Sequence, residues 1–434
     1  MNALELWGGH ECTVNRVGDV WRDQTVLSGH QDRLDDLDLF ADLGLKAIRF
    51  PVLWERTETA PGRFDWGWAD QRLQRLKDLG LRPVLGLLHH GAGPSWTNLL
   101  DPAFAEGLAR FAAAVATRYP WVDDWTPVNE PLTTARFSAL YGHWHPHARD
   151  EGAFWLALIN QVDATRLAME AIRAVNPAAR LIQTEDFGHT WSTPPCEGQA
   201  RHENERRLAT WDLLIGRVVP GHPLWPDLER SGLADRAKAI ADAPCPPDVL
   251  GLNHYVTSDR LLDHRLHRYP AGTRGGNGRI AYADVEAVRV VDDYPCGWAR
   301  SLETLWKRYE LPIAITECHL GCDTDSQRRW LSMCWEAASR ARSRGVDVRA
   351  VTVWALLGSH DWDSLVTEPK NHYEAGAFDV SSGAPRPTAL ADLVRTLADG
   401  DPAPRHRSSG WWEEPRRILY PPFPKPRAMS EVQL

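Results

Sequence analysis

The sequence predicts an α/β fold of the (β/α)8 TIM-barrel class, in which eight parallel strands close into a barrel and a helix follows each strand. Short apolar segments alternate along the chain with longer segments of helical periodicity, which is the pattern of parallel strands joined by helices. One strand segment, Leu81–Leu88, is apolar except for Arg82, as expected for a strand buried on both faces. Polar side chains collect where the predicted strands end, which is where the functional residues of such barrels lie.

In the first half of the chain, each apolar segment ends at a turn and is followed by a segment of helical periodicity. Gly44 and Gly80 end two of the helices, and Asn176-Pro177 ends the fourth. The predicted strands are Leu4–Gly9, Lys46–Val52, Leu81–Leu88 and Trp121–Val128. The predicted helices are Gln31–Leu43, Ala69–Leu79, Pro102–Tyr119 and Phe154–Val175.

The second half repeats this alternation and completes the barrel. The predicted strands are Arg180–Thr184, Val249–Tyr255, Ile313–Glu317 and Val348–Ala355. The predicted helices are Glu203–Val219, Ser301–Tyr309, Asp325–Arg344 and Pro387–Leu397. Residues 1–400 therefore form one predicted barrel domain, with a long Gly-rich loop at His264–Pro295 after strand six. Residues 401–434 are a Pro-rich tail that we expect to pack in extended form or to stay mobile.

Composition excludes several classes of function. The net charge of −9 argues against nucleic acid as a partner, because such binding needs a basic surface. No apolar run approaches the roughly 18 residues of a membrane span, and the first residues lack the features of a secretory signal, so we expect a cytoplasmic protein. The seven cysteines form no CxxC pair, which indicates neither a disulfide framework nor a zinc site. We expect no metal and no cofactor, and the composition is compatible with a homo-oligomer.

Tryptophan is abundant, with 21 residues in a chain of 434. An indole ring offers a flat apolar face and one N–H donor, which suits stacking against a sugar. The same rings also serve as filling for the core or the surface. Composition alone leaves both interpretations open.

Polar groups stand at nearly every predicted strand end, and two of them are carboxyl groups placed across the barrel mouth. In chain order these groups are His10-Glu11, Arg49, His89-His90, Asn129-Glu130, Glu185-Asp186, Asn253-His254-Tyr255, Thr316-Glu317 and Trp354 with Asp361-Trp362. Glycoside hydrolysis needs two carboxyl groups that flank one bond, one protonated and one ionised. Glu130 and Glu317, at the ends of strands four and seven, meet that need. Any single strand-end Glu could instead be a salt bridge or a helix cap, but that interpretation does not explain the whole set.

Several segments resemble glycoside hydrolase family 1 in collinear order. Residues 126–131, TPVNEP, resemble the family's T-x-N-E-P signature, and residues 315–317, ITE, resemble its I-T-E-N-G segment. Further resemblances to family motifs lie at Trp7-Gly8, Arg49-Phe50, Pro83–His89, Asp248–Ser258, Tyr294–Gly297 and Val353–Leu356.

This resemblance implies a role for each matching residue. Glu130 would be the general acid/base and Glu317 the nucleophile of a retaining β-glycosidase. The implied ligands and supports are Asn129 for the 2-hydroxyl, Tyr255 and Arg49 as partners of the nucleophile, Asn253 as a support, His89 as a sugar-hydroxyl ligand, and Trp354 as the stacking platform. The sugar end of the pocket would be completed by Asn15, Asp361 and Trp362.

The chain departs from the family pattern at the sugar-reading end. Asn15 stands where the family has Gln, and Asp361 stands where it has Glu, so two groups that read sugar hydroxyls are one methylene shorter. Cys318 replaces Asn after the nucleophile, and Pro51 replaces Ser after Arg49-Phe50. The reaction class therefore follows from the resemblance more directly than the identity of the sugar.

Two other interpretations stay open from the sequence. His143, His145 and His147 alternate in a short segment and could ligate a metal if it were extended, although a loop that lines the sugar entrance is favoured. A non-catalytic barrel that binds a sugar or a sugar nucleotide, in a carbohydrate or deoxysugar pathway, is the second alternative. Such a module would keep Trp354 and Asn129 but has no reason to retain both carboxylates.

Overall fold

Eight parallel strands close into a barrel in the computed structural model, which describes residues 3–292, 294, 297–403 and 409–423. The strands are β1 (Glu5–Gly9), β2 (Ala47–Pro51), β3 (Arg82–His89), β4 (Asp124–Asn129), β5 (Arg180–Asp186), β6 (Val249–Asn253), β7 (Ile313–Cys318) and β8 (Val348–Val353). Each strand pairs with its neighbours in sequence, and β8 pairs with β1 to close the barrel. The predicted fold class is confirmed.

The helices surround this barrel. Their bounds are Gln24–Leu27, Asp36–Ala41, Trp54–Thr57, Gly67–Asp78, Phe104–Arg118, Pro131–Ala135, Glu151–Val175, Glu197–Arg206, Ala209–Ile215, Trp225–Arg230, Ala234–Asp242, Trp298–Tyr309, Thr324–Ser343 and Ala389–Ala398. Helix Phe104–Arg118 shows how they form, because Phe104, Leu108 and Phe111 recur at helical spacing and are all buried. The long helix Glu151–Val175 packs against helix Phe104–Arg118. Asp150 caps this long helix by accepting a hydrogen bond from the Ala153 N–H at 2.8 Å.

Local side-chain contacts and a glycine shorten two predicted helices. The helix predicted at Gln31–Leu43 spans only Asp36–Ala41, because the preceding residues form turns in which Arg33 donates to the Ser28 carbonyl at 2.8 Å. The helix predicted at Glu203–Val219 is two helices, and the second ends at Gly216, whose φ of 82° suits glycine.

Strands pair within the predicted long loop. Thr190–Ser192, Arg260–Asp263, Ala281–Glu286 and Arg274–Gly276 form a four-stranded sheet in that spatial order. The predicted long loop therefore follows β6, and two parts of it, Arg274–Gly276 and Ala281–Glu286, are ordered by strand pairing that its glycines did not indicate. Asp293, Pro295 and Cys296, at the end of this segment, lie outside the described residues.

Part of the Pro-rich tail packs on the barrel. The Trp412 side chain is 1% exposed and meets the Trp330 ring edge-on at a centroid distance of 5.2 Å. Arg417 Nη1 donates to the carbonyls of Val288 and Val291 at 2.7 and 2.8 Å. Residues 409–423 therefore pack against the barrel, but they contain two 3-10 turns, Trp411–Glu413 and Pro415–Arg417, and are not extended throughout. Residues 404–408 and 424–434 lie outside the described residues.

Tryptophan is mostly a core residue in this fold. Eight tryptophans are less than 2% exposed: Trp54, Trp125, Trp144, Trp155, Trp211, Trp298, Trp330 and Trp412. Packing therefore accounts for much of the tryptophan content, whereas Trp354 and Trp362 lie among the site residues described below. Over the part of the chain that the structure describes, no helix has the length and apolar content that crossing a membrane requires.

Candidate active site

The two predicted carboxyl groups stand where β4 and β7 end. Glu130 directly follows β4 and precedes helix Pro131–Ala135, and its φ of 46° turns the backbone between strand and helix. Glu317 is the fifth residue of β7. Glu130 and Glu317 are 3% and 2% exposed, so neither carboxyl group is freely hydrated. Buried carboxyl groups need compensating partners, and each of these two has a different set.

Positive charge and a hydroxyl group surround Glu317. Arg49 Nη1 donates to Glu317 Oε1 at 2.6 Å and to the Thr316 carbonyl at 3.0 Å. The Tyr255 hydroxyl donates to Glu317 Oε2. Burial raises the pKa of Glu317, while the Arg49 charge and the Tyr255 hydrogen bond act against that rise. Burial and the Glu317 charge raise the pKa of Tyr255 well above its usual value, so this hydroxyl stays a donor.

Among the residues that the structure describes, Glu130 has no cationic partner. Asn253 Nδ2 donates to Glu130 Oε1, and His90 Nε2 lies 3.9 Å from Oε2. Burial lowers the pKa of His90 to about 3, so this imidazole is neutral near pH 7. Burial, followed by the charge of Glu317, raises the pKa of Glu130 well above its usual value. The pair therefore favours one arrangement, in which Glu130 holds a proton and Glu317 is ionised.

Asn129 is oriented by the same arginine. Arg49 Nη2 donates to Asn129 Oδ1 at 2.6 Å, and the Thr184 hydroxyl donates to the same oxygen at 2.8 Å. Two donors on Oδ1 leave the amide nitrogen pointing toward His89 and His90, whose Nε2 atoms lie 3.4 and 3.3 Å away. Asn129 Nδ2 is thus a fixed donor beside both carboxyl groups.

Trp354 and His89 form one wall of the site. Their rings stack with centroids 5.4 Å apart and planes 10° apart, and the Arg49 guanidinium lies 4.8 Å from the Trp354 ring. The indole lies so close to β1 that a Cβ added at Gly9 would be 2.6 Å from the ring. A side chain at Gly9 would therefore displace Trp354 from this position.

Asn15 carries unpaired polar atoms. The residue is 1% exposed, and among the described residues neither Oδ1 nor Nδ2 has a hydrogen-bond partner. It lies on the hairpin formed by Val14–Val17 and Val20–Asp23, directly opposite Arg22. Buried amides without partners are costly, so a ligand that pairs with these two atoms would be favoured.

Asp361 and Trp362 differ in how fully they are paired. Arg22 Nη2 donates to Asp361 Oδ2, and the His372 N–H donates to Oδ1 at 2.8 Å. Both carboxylate oxygens of Asp361 therefore already accept hydrogen bonds, and a ligand bound at this end of the site would contact the Arg22–Asp361 ion pair. The Trp362 indole N–H is buried without a partner, and its ring lies 5.6 Å from the ring of His90. Within the described residues, Trp362 thus has an unpaired donor on the side of the site where His90 and Glu130 lie.

The alternating histidines pack a loop against the hairpin that carries Asn15. His147 Nε2 accepts a hydrogen bond from the Gly18 N–H at 2.9 Å, and its Nδ1 lies 3.0 Å from the Gly142 carbonyl oxygen. His145 is joined to this hairpin through its own N–H, which donates to the Arg16 carbonyl at 2.8 Å. Both ring nitrogens of His147 are hydrogen-bonded to backbone groups, which favours the interpretation of a loop beside the site.

Some site residues were not assigned roles from the sequence. Arg22 pairs with Asp361 across 339 residues of chain, and no local pattern indicates such a contact. Thr184 orients Asn129 but looks in the sequence like an ordinary strand residue. Glu11, two residues after β1, is a third buried carboxyl group, whose Oε1 lies 4.0 Å from His89 Nε2, and its position just beyond a strand end was the available signal.

Comparisons with known proteins agree on the family. The sequence model of Glycosyl hydrolase family 1 matches residues 13–368. A 6-phospho-beta-glucosidase of Dickeya chrysanthemi is 22% identical over 80% of this chain and 79% of its own length, and Beta-glucosidase 47 of Arabidopsis thaliana is 22% identical over 89% and 79%. The structure of a family 1 β-glucosidase from Thermotoga maritima superposes with a TM-score of 0.74 at 18% identity, covering 93% of this chain and 99% of that one. The chain therefore belongs to glycosyl hydrolase family 1, and the carboxyl groups of Glu130 and Glu317 occupy the mouth of its barrel.

Proposed function

We propose that the protein is a retaining β-glycosidase that works by double displacement through a glycosyl-enzyme intermediate. The observation that carries the proposal is the asymmetry between the two buried carboxyl groups. Glu317 has a guanidinium and a phenol as donors, whereas Glu130 has one amide donor and no cation. Retaining glycosidases need such a pair, with one carboxylate as nucleophile and one carboxylic acid as proton donor.

In the first step, Glu317 attacks the anomeric carbon of a β-linked sugar and forms an ester bond to it. The glycosidic C–O bond breaks, and its electron pair goes to the leaving oxygen, which takes the proton of Glu130. In the second step, ionised Glu130 removes a proton from water while that water attacks the anomeric carbon. The ester bond to Glu317 breaks and the free β-sugar leaves, so both carboxyl groups return to their starting states.

The sugar in this mechanism lies between Asn15, His89, Trp354 and the strand-eight residues. We propose that Trp354 supports the sugar face and that Asn129 binds the hydroxyl beside the reacting carbon. Asn15 and Trp362 contribute the unpaired donors and acceptors described above. Because Asp361 is held by Arg22, the sugar at this end need not be glucose or galactose, and a panel of 4-nitrophenyl glycosides that includes deoxy sugars is required to identify it.

The partner in this proposal is a small carbohydrate in the cytoplasm, with no nucleic acid, membrane, metal or cofactor involved. Residues 1–400 form the catalytic unit, and residues 401–434 form the Pro-rich tail. The alternative is a non-catalytic barrel that binds a sugar or a sugar nucleotide. The two proposals differ in what the two glutamates must do, which makes them separable by substitution.

Substituting each glutamate tests the proposal. Glu317→Gly removes the nucleophile, so hydrolysis falls to background, and azide in the vacated space restores turnover with an α-glycosyl azide as product. Glu130→Ala removes the proton donor, so substrates with poor leaving groups lose far more rate than activated aryl glycosides, and azide gives a β-glycosyl azide. Glu5→Gln, at the opposite end of the barrel, is the control. Wild-type protein that binds sugars but hydrolyses no member of a broad α and β panel would favour the binding barrel.

A further inference from the structure

Three side chains of the types that bind metal ions converge on the helices that follow β4 and β5. Glu151 is the first residue of the long helix after β4. His202 lies on helix Glu197–Arg206 and Asp227 lies on helix Trp225–Arg230, both of which follow β5. One ligand atom from each of the three residues lies within 4.8 Å of the other two. The fold thus brings two carboxylates and one imidazole from distant parts of the chain to one place.

Asp227 holds a buried carboxylate oxygen that has no hydrogen-bond donor. The residue is 5% exposed, and its Oδ1 accepts a hydrogen bond from Arg230 Nη2. Its Oδ2 is also buried and has no hydrogen-bond partner among the described residues. A buried carboxylate oxygen without a donor is costly, so a cation that binds Oδ2 would be favoured at this position.

His202 faces this oxygen without bonding to it. Its Nδ1 lies 3.6 Å from Asp227 Oδ2, which is longer than a hydrogen bond. A tetrahedral Zn²⁺ ion with bonds of about 2.0–2.2 Å separates its ligand atoms by about 3.3–3.6 Å. The spacing of Nδ1 and Oδ2 therefore suits two ligands of one ion. His202 is half-buried, so an ion can reach this position from solvent.

Glu151 completes the set from the exposed side. Its carboxylate is exposed, and it forms no hydrogen bond or ion pair with any described residue. Apart from His202, the cation that pairs with a member of the set is Arg230, which binds the other oxygen of Asp227. Glu203, next to His202 in the chain, is bonded to Arg206. Two carboxylates therefore stand against one guanidinium, a balance that favours binding of a further cation.

We propose that Glu151, His202 and Asp227 form a binding site for a divalent transition-metal ion such as Zn²⁺. Imidazole nitrogen and carboxylate oxygen are ligands of Zn²⁺, and three protein ligands leave a fourth position for water. Because the ligands come from three helices, the ion binds the folded chain and holds these helices together. The site goes beyond the proposed glycosidase function, since none of the three residues is among the described partners of Glu130 or Glu317.

Titration of the full-length protein with metal ions tests this inference. The wild-type protein is freed of metal with a chelator and titrated with Zn²⁺ against a chromophoric chelator, and the melting temperature is measured with and without Zn²⁺. We expect one equivalent of Zn²⁺ to bind at this site and to raise the melting temperature. Co²⁺ in its place should give the visible absorption of a four-coordinate ion without a thiolate charge-transfer band, which excludes the cysteines as ligands.

Variants of the three ligands assign the bound ion to this site. In His202→Gln, Glu151→Gln and Asp227→Asn the affinity for this equivalent falls by at least about 10- to 100-fold, which is the effect of losing even an outer-shell partner, and Zn²⁺ no longer raises the melting temperature. Glu151 is exposed, so its variant maintains the test if Asp227→Asn does not fold. The controls Glu197→Gln, on the same helix as His202, and His267→Gln replace exposed residues and should keep the wild-type affinity.

A wild-type protein that binds neither Zn²⁺ nor Co²⁺ overturns the inference. Equal affinity in the wild-type protein and all three variants also overturns it, because the ion is then an adventitious ion only, bound to other side chains. The proposed function fails separately, since these measurements record binding and melting instead of hydrolysis. Metal-free protein that hydrolyses a glycoside but binds no Zn²⁺ contradicts the metal site alone, and protein that binds Zn²⁺ here but hydrolyses no glycoside contradicts the glycosidase alone.

Discussion

Replacing Tyr255 with phenylalanine removes one hydroxyl group that donates to Glu317 Oε2. A hydrogen bond to a charged group contributes about 1.5–3 kcal/mol, which corresponds to a roughly 10- to 150-fold loss of kcat/KM on the acid limb, where the ionised fraction of Glu317 limits the rate. Losing this stabilisation of the carboxylate also raises the pKa of Glu317 by about one to two units.

The sign of the pH effect follows from the role of the carboxylate. Glu317 must be ionised to attack, so activity is present above its pKa and is lost as pH falls through it. The Tyr255 hydrogen bond lowers the pKa of Glu317. Its loss therefore moves the acid limb of the kcat/KM profile to higher pH. The assay is kcat/KM against pH with an activated aryl glycoside, whose leaving group does not need protonation.

Tyr269→Phe is the matched control. Its hydroxyl donates to Asp263 Oδ2 at 2.7 Å in the sheet beyond β6, and neither Glu130 nor Glu317 is its partner. This variant loses a comparable hydrogen bond and should keep the wild-type pH profile. An acid limb that stays in place in Tyr255→Phe, with kcat/KM within about threefold of wild type, would refute the role given to Tyr255.

Three further outcomes follow from the contacts described. Asn253→Ala removes the donor that lowers the pKa of Glu130, so the basic limb of the kcat/KM profile moves to higher pH; an unmoved limb would contradict this assignment. Burial raises the pKa of Glu55 from its ordinary 4.5 to about 8, so its contribution to stability is present below pH 4.5 and is lost at about 1.4 kcal/mol per unit as pH rises toward 8. Urea unfolding at pH 5 and 7.5 should show a smaller decline in Glu55→Gln. Trp412→Ala should lower the free energy of unfolding by about 3–5 kcal/mol, and the half-buried Trp411→Ala by less, because only Trp412 is fully enclosed.

The barrel could be predicted from the sequence because its signals are local. Strand β3 is apolar from Pro83 to Leu88, and helix Phe104–Arg118 carries its apolar residues at helical spacing, so each element follows from its own residues. The meeting of the two proposed catalytic carboxyl groups could be predicted for a related reason, since Glu130 and Glu317 lie at strand ends that a closed barrel brings to one face.

Contacts between distant segments could not be predicted in this way. Arg22 lies on a short hairpin and meets Asp361 far along the chain, and only the folded barrel brings the two together. The glycines in the segment after β6 indicated a loop where Arg274–Gly276 pairs with Ala281–Glu286. Arg207 looks in the sequence like a solvated helix residue, and its burial becomes evident only in three dimensions.

The central claim, that Glu317 forms a covalent bond to the sugar, is tested most directly by trapping. The protein is incubated with a panel of 2-deoxy-2-fluoro-β-glycosyl fluorides, digested and analysed by mass spectrometry, because the fluorine slows hydrolysis of the ester more than its formation. The account predicts one glycosyl adduct on the peptide that contains Glu317, none in Glu317→Gly, and β-configured sugar as the first product from natural-type substrates. Hydrolysis of a β-glycoside that releases α-configured sugar, with no adduct on Glu317 from the matching fluoride, would contradict it.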